Sequence, residues 1–519
     1  MPLMAINLQP GLDRNGTPYD TTNRYWDMSL MRWVSGAARP IGGWQRKTAA
    51  PLGSPIRRFH TWKKNDNSTG TITATEEKLY LDYQGGWTDI TPTGITPPII
   101  TFAGGYGTGP YGRYNYGRAR PVGVSVAFAP PFALWSFADW GEDVLFLSSL
   151  DNRVFHYVAN TPTTLPLPIP NSTAPGAPPV PHANAVGVTE ERHVMLVGPT
   201  IGGQYYPRRV CWSSRETLDD WDFASITNTA GFLDLTTNSP LNFIIKVREG
   251  MLLFSSTEVF LAQYVGLPYV YGVQKIGEGQ FYHPYSFAQF DGTKIMWVAT
   301  RGVRWYEAGS VKYVDCPIFN DIKDDFSAQW APYRTHASAN GNFPEVWTFW
   351  PSANASECDR YLIYNFNENW WGWGYLHRSA MVSSGPTRYP LAGASDGTIY
   401  EHENGWTDAG VPILGDRWLE TGALGIQANA GDTVVDVKQA LLSTQDRFHD
   451  VPQSVKIQFF GRYAPDGAER VFGPYLPRLD GYTDTRVNCR EARIRIMGNV
   501  DQLFDIGLLR LDVSPGGRR

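Results

Sequence analysis

The chain has 519 residues and a mass of 58.0 kDa, too long for one ordinary core, so several domains or one large repeat-built domain are expected. Its 45 Lys and Arg stand against 50 Asp and Glu, a formal charge of −5, which speaks against a protein that grips nucleic acid by neutralising phosphates. The 19 Trp, 27 Tyr and 25 Phe, punctuated by 52 Gly and 38 Pro, favour short strands and turns over long helices, and no run of about 18 apolar residues predicts a membrane-crossing helix.

Taken in chain order, the first residues show no charged leader ahead of an apolar run, so no signal peptide is expected. Residues 1–50 read as an N-terminal arm with the first strands. Short strand-like runs then follow at 78–83, 143–148, 154–158, 193–197, 251–255, 259–264, 294–299, 303–306, 361–366 and 398–402. Each alternates or clusters β-branched and aromatic residues between Gly, Asn, Asp or Ser turns. A degenerate unit recurs, a strand carrying an aromatic and then a Trp-containing turn, as in Gly86-Trp87-Thr88-Asp89 and Gly405-Trp406-Thr407-Asp408. Its irregular spacing fits propeller blades with insertions, so a β-propeller is predicted over 51–410, with loop insertions at 104–121 and 160–181. Sandwiches that happen to use similar hairpins are the other arrangement this pattern allows.

One helix is predicted, over 318–330, where Ile318, Phe319, Ile322, Phe326 and Trp330 share a face. After Val411 the runs lengthen and alternate, at 433–437, 455–463, 487–497 and 507–513. They predict an antiparallel β-sandwich over 411–519 that ends in a flexible tail. The expected fold class is therefore all-β, a β-propeller of degenerate hairpin repeats plus a C-terminal β-sandwich-like domain, with very few helices.

Motifs that suggest chemistry weigh little against their contexts. Gly393-Ala394-Ser395-Asp396-Gly397 matches G-x-S-x-G, but a nucleophile elbow needs a helix after the serine, and here a strand follows. The same turn resembles part of the Asp box of sialidase propellers, a structural turn. Gly107-Thr108-Gly109-Pro110-Tyr111-Gly112 fits G-x-G-x-x-G without the helix that would receive a pyrophosphate. Cys211, Cys316, Cys358 and Cys489 form no C-x-x-C pair and read as reduced core residues of a protein made in a cytosol. The nine histidines are isolated, so neither a metal site nor a cofactor is expected. The carboxylate pairs Asp219-Asp220 and Asp324-Asp325 read as solvated faces. What remains is a loop in which Tyr106, Tyr111, Tyr114 and Tyr116 alternate with glycines and with Arg113, Arg118 and Arg120. Tyrosine gives contact area at low entropic cost and arginine gives bidentate or stacked contacts, so these seven residues are candidate channel or interface residues; a linker is the plainer reading.

Three segments carry a family resemblance. Asn23-Arg24-Tyr25-Trp26-Asp27-Met28 with Met31-Arg32-Trp33 and Arg39-Pro40-Ile41-Gly42-Gly43-Trp44-Gln45-Arg46, the glycine-tyrosine loop at 104–120, and the C-terminal Arg490, Arg493, Ile494, Arg495 and Ile496 ahead of 507–513 resemble the tail nozzle proteins of short-tailed bacteriophages. These are also called tail hub or packaged-DNA stabilisation proteins. The resemblance implies a homo-hexameric ring that retains packaged double-stranded DNA without tight binding and later conducts it. It implies an adaptor protein above, and a tail fibre, tailspike or needle protein beside or below. The chain would be made in the bacterial host cytoplasm, end in the virion, and turn over no substrate. A near-neutral charge suits a conduit, because each fixed phosphate contact would slow passage. Larger nozzle proteins carry extra insertions, and this chain stands nearer the compact end of that family. Two rival readings remain from other classes: a propeller that binds or cleaves glycans, and a trimeric adhesin or fibre protein.

Overall fold

The computed structural model describes residues 3–16, 24–95, 134–172, 178–413, 415–425, 434–446, 454–464 and 467–517. The fold is all-β as expected, with two short helices among the described residues. It divides into two compact units, 56–279 and the combination of 1–55 with 280–519.

The unit 56–279 holds four four-stranded antiparallel sheets, each an up-and-down meander of the kind that forms a propeller blade. They are built from Ile56–Lys63, Thr69–Thr75, Leu79–Tyr83 and Gly86–Asp89; from Trp135–Trp140, Asp143–Ser148, Val154–Tyr157 and Leu167–Pro168; from Ala185–Val188, Val194–Val197, Arg209–Trp212 and Gly231–Asp234; and from Leu241–Val247, Gly250–Ser255, Glu258–Gly266 and Val270–Glu278. The second strands are apolar on both faces: Val144 to Ser148 and Met251 to Ser255 are buried without a break. A sheet covered on both sides removes the pressure to alternate, and this explains why these runs read as continuous apolar clusters. The cores between the sheets are aromatic, with Trp62, Trp135, Phe146, Phe155 and Tyr157 in one cluster and Leu145, Leu196, Cys211 and Trp221 in another.

The other unit holds three more four-stranded sheets. Two are continuous in sequence, Phe287–Phe290, Lys294–Ala299, Gly302–Glu307 and Ser310–Val314, then His336–Asn340, Glu345–Trp350, Arg360–Asn365 and Trp370–Tyr375. The third joins Ala380–Val382, Leu391–Gly393 and Ile399–His402 to Trp44–Arg46, so its fourth strand arrives from the opposite end of the chain. The same unit contains the sandwich. One sheet runs in the order Met31–Val34, Ala37–Pro40, Phe504–Gly517, Val434–Asp446, Tyr482–Cys489, with Met4–Ile6 also on Phe504–Gly517. The other runs Gln9–Leu12, Arg24–Ser29, Trp418–Thr421, Glu491–Gly498, Val455–Arg462, Arg470–Tyr475, with Leu424–Gly425 also on Glu491–Gly498. Val437, Leu442 and Leu511 of the first sheet share a core with Ile457, Phe459 and Ile494 of the second. Strand Val455–Arg462 alternates buried and half-buried residues along its whole length, the signature of a sheet with one face in water.

Two expectations change in detail. The run expected over 487–497 is two strands, Tyr482–Cys489 and Glu491–Gly498, which break at Arg490 and enter different sheets. The helix expected over 318–330 is Phe319–Asp325, followed by a separate turn of helix at Ala331–Arg334. Phe326 turns to an extended backbone, bridges Ser352 and stacks on Tyr282 at 4.5 Å; an aromatic contact and a sheet bridge win over helical period. Residues 1–50, read as an N-terminal arm with the first strands, supply strands to both sandwich sheets and to one blade.

Candidate functional site

The seven loop residues singled out in the sequence, Tyr106, Tyr111, Arg113, Tyr114, Tyr116, Arg118 and Arg120, lie outside the described residues, as does the G-x-G-x-x-G run at 107–112. The G-x-S-x-G run is a tight turn between Leu391–Gly393 and Ile399–His402. Asp396 accepts from the Thr398 amide at 2.9 Å and from its hydroxyl at 2.8 Å, so its carboxylate is spent on holding the turn. Gly397 takes φ +87°, and a Cβ there would sit 2.8 Å from the Ser54 carbonyl, which is why only glycine closes the turn. All four cysteines are buried free thiols. Burial pushes the Cys211, Cys316 and Cys489 thiols up, Cys489 to about 11, the opposite of activation. Among the described residues no three His, Cys, Asp or Glu side chains gather as a metal site, and no helix is long and apolar enough to cross a membrane.

What sequence reading missed is a set of buried ions in the unit that joins the chain ends. Arg32, in Met31–Val34, is 2% exposed and forms ion pairs with Glu345 at 2.9 Å and Glu403 at 2.5 Å. Trp347 Nε1–H donates to Glu345, and the Gly42 amide and Asn340 Nδ2 donate to Glu403. Burial works against the charge of Arg32, yet the two carboxylates outweigh it and hold the guanidinium above its usual value. Burial raises Glu345, opposed by Arg32. Arg378 lies over the Trp44 and Tyr400 rings and donates Nε–H to His402 Nε2 at 2.8 Å. That bond fixes His402 as a neutral acceptor, and burial, then Arg378 and Arg32, keep its pKa well below the usual 6.5. Arg417, lowered to about 10 by burial, donates to the Ile41 and Trp406 carbonyls and pairs with Asp501. In the sandwich, buried Glu420 takes both Arg493 and Arg495, the latter at 2.7 Å. The one sequence signal for these was an arginine inside an apolar strand, Met31-Arg32-Trp33.

These pairs stitch the resemblance-bearing segments together. Arg24–Ser29 pairs with Trp418–Thr421, which pairs with Glu491–Gly498. Arg39 holds Asp505 with two bonds, at 2.5 and 3.2 Å, where Ala38 meets Ile506.

The same unit carries an open cleft of about 580 Å³, lined by Asp13, Asn15, Arg24, Trp305, Glu307, Lys312, Tyr313, Asp315, Asn369 and Trp371 among others. Beside it, the Arg14 guanidinium sits between the Trp26 and Trp373 rings, at 4.4 and 4.8 Å, and bonds Asp321 at 2.9 Å.

No protein-family model matches the sequence, and no curated protein is similar to it at a significant level. Solved structures with some likeness include YCF48 from Cyanidioschyzon merolae, at 9% identity over 69% of this chain and 98% of that one, TM-score 0.34. BamB from Moraxella catarrhalis is 12% identical over 72% of this chain and 100% of that one, TM-score 0.31. The WD40 domain of SCAP from fission yeast is 9% identical over 91% and 94%, TM-score 0.35. At such values these likenesses carry no argument about ligand, partner or activity.

Proposed function

We propose that this chain is a structural protein of a bacteriophage tail, a nozzle subunit that assembles as a hexamer, retains packaged DNA and conducts it on ejection. One observation carries the reading. Segments some 450 residues apart, 24–46 and 490–513, were singled out by resemblance alone, and they form one body through Arg24–Ser29, Trp418–Thr421 and Glu491–Gly498 and through Arg39 and Asp505. Segments that carry a family's character are expected to share a structural job, and here they build the sandwich on which blade sheets are anchored. The charge of −5 agrees with DNA passing rather than DNA held. The loop at 104–121 is assigned to the channel or to contact between subunits.

Native mass spectrometry of the purified chain tests this. A species of six times 58.0 kDa, alone or on addition of an adaptor protein, is the expected result, together with duplex DNA binding no tighter than about 1 μM at physiological salt. A monomer that hydrolyses polysaccharide, or a stable trimer, would overturn it.

A further inference from the structure

One hairpin of the unit 56–279 runs on past its own sheet. Its strands, Glu258–Gly266 and Val270–Glu278, have nine residues each, while the neighbouring Gly250–Ser255 pairs with it only as far as Met251 opposite Ala262. Tyr264 to Gly266 continue beyond that point, paired across the hairpin with Tyr271 and Val270, a projection of about 10 Å at the rise of a strand. At its end Tyr264, Val265, Leu267 and Tyr269 are exposed, Leu267 by 73% and Tyr269 by 78%. From Val259 to Gln274 there is no charged side chain. The matching turns of three other sheets, between third and fourth strands, carry Gln84, Glu307 and Glu368, so the position itself does not demand an apolar tip.

The projection is rooted. The Tyr271 hydroxyl lies within 3.2 Å of Thr189, Glu191 and His193, its ring meets Trp212 edge-on at 5.1 Å, and Tyr264 packs against it at 5.8 Å. A tip held in this way keeps its apolar side chains in water, a cost that a partner of matching chemistry removes. A protein partner is expected to use polar anchors, about one hydrogen bond per 100–200 Å² of interface, yet the side chains of the tip offer only the hydroxyls of Tyr264 and Tyr269. Its backbone is turned inward, with Gly266 paired to Val270 and the Tyr271 amide donating to the Tyr269 carbonyl at 2.7 Å, and Pro268 has no N–H to satisfy. The same features suit a lipid surface, where backbone groups must find partners within the protein and tyrosine sits at the boundary, ring inward and hydroxyl among the headgroups. The length of the projection matches the depth of about 5–10 Å that interfacial segments reach. Charges near its base cancel, Lys275 with Glu258 at 2.5 Å and Lys246 with Glu190 at 2.6 Å, so the attraction is to the apolar layer and not to anionic headgroups.

We propose that the hairpin tip 264–269 inserts into the interface of a lipid bilayer, with Val265, Leu267 and Pro268 among the acyl chains and Tyr264 and Tyr269 at the headgroups. The contact is peripheral, a shallow anchor and not a span. It does not rest on hexamer formation or on DNA passage, and it adds a membrane contact to a chain otherwise read as an assembly element.

Flotation of the full chain with phosphatidylcholine vesicles at up to ~5 mM lipid, a range suited to one short apolar tip, tests it. Binding is expected, and it should persist at ~0.5 M salt, where attraction between charges is screened. Leu267→Asp, at an exposed turn position, should lower the partition coefficient roughly tenfold or more with an unchanged Tm. Depth gives a second readout. All four native cysteines are buried, so an environment-sensitive dye on Leu267→Cys reports the tip alone; its emission should shift to the blue with vesicles, and the same dye on Gln84→Cys should not shift. No flotation, flotation lost in salt or untouched by Leu267→Asp, or a dye at 267 that shifts only with protein concentration, the mark of a second copy on the tip, would overturn the proposal.

Discussion

The unit 56–279 and the unit that joins the two chain ends build similar four-stranded sheets by different means. In the first, each sheet is made from consecutive strands, and the cores are aromatic and aliphatic stacks such as Phe146 on Phe155 at 5.5 Å. Its buried polar contacts span tens of residues rather than hundreds: Arg57 pairs with Glu76 19 residues away, and Trp135 Nε1–H donates to the Thr75 carbonyl 60 residues away. The Tyr271 hydroxyl lies 2.8 Å from Thr189 Oγ1 and 2.9 Å from His193 Nδ1. In the second, Arg32 reaches Glu345 and Glu403 across 313 and 371 residues. Apolar burial is strong but indifferent to partner, whereas a buried ion pair tolerates few arrangements. Local hairpins find their register through their own turns. A junction between distant segments has no such guide, and there the buried ions concentrate.

The largest test of that contrast is Arg32→Ala. It leaves Glu345 and Glu403 facing each other without a cation, so denaturant unfolding should show a loss of about 3–5 kcal/mol, confined to the unit that joins the chain ends. Phe146→Ala should cost a similar ~3–5 kcal/mol through a cavity, but in the other unit. If both substitutions shift one common transition, the two units do not unfold separately and the contrast fails.

Protons give a finer test. His402 is held well below its ordinary 6.5, first by burial and then by Arg378 and Arg32. Below about pH 6.5 the unfolded chain takes a proton that the folded chain refuses. Stability is therefore full above that pH and declines as pH falls toward the folded value, by up to about 1.4 kcal/mol per pH unit. His402→Gln should remove that slope between pH 6.5 and 5 in a series of Tm measurements. His193, lowered by burial but beside Glu191, which opposes the shift, should contribute a shallower slope to the unit 56–279, and His193→Gln should flatten it less.

The smallest effect expected is at the G-x-S-x-G turn. Asp396→Ala removes two hydrogen bonds to Thr398 and should cost roughly 1 kcal/mol in denaturant midpoint. A loss several times greater would mean that the turn does more than close a hairpin.

Much of this architecture was readable beforehand, because its rules are local. Continuous apolar runs such as 143–148 announce a sheet covered on both faces, and alternation over 455–462 announces one covered on a single face. The turn glycine Gly397 and the aspartate beside it were legible as a turn. Four things were not. Strand Trp44–Arg46 has only three residues, too short to show a period. The split at Arg490 depends on which sheet each half joins, a tertiary matter. The open cleft draws on residues 13 to 371, and no spacing rule links positions that far apart. The buried arginines were hidden for a related reason: Arg32 is costly in an apolar strand until Glu345 and Glu403 stand beside it.

The strand that completes the third sheet of this unit sets a timetable for synthesis. Trp44–Arg46 leaves the ribosome early, but its neighbour Ile399–His402 follows only after some 350 more residues, roughly 20–70 s at bacterial-to-eukaryotic elongation rates of about 5–20 residues per second. During that interval the first segment must wait with its backbone hydrogen bonds open to water, while the consecutive hairpins after Ile56 mature one by one. Ribosome-bound chains stopped before residue 399 should therefore hold finished central hairpins and an unclosed beginning.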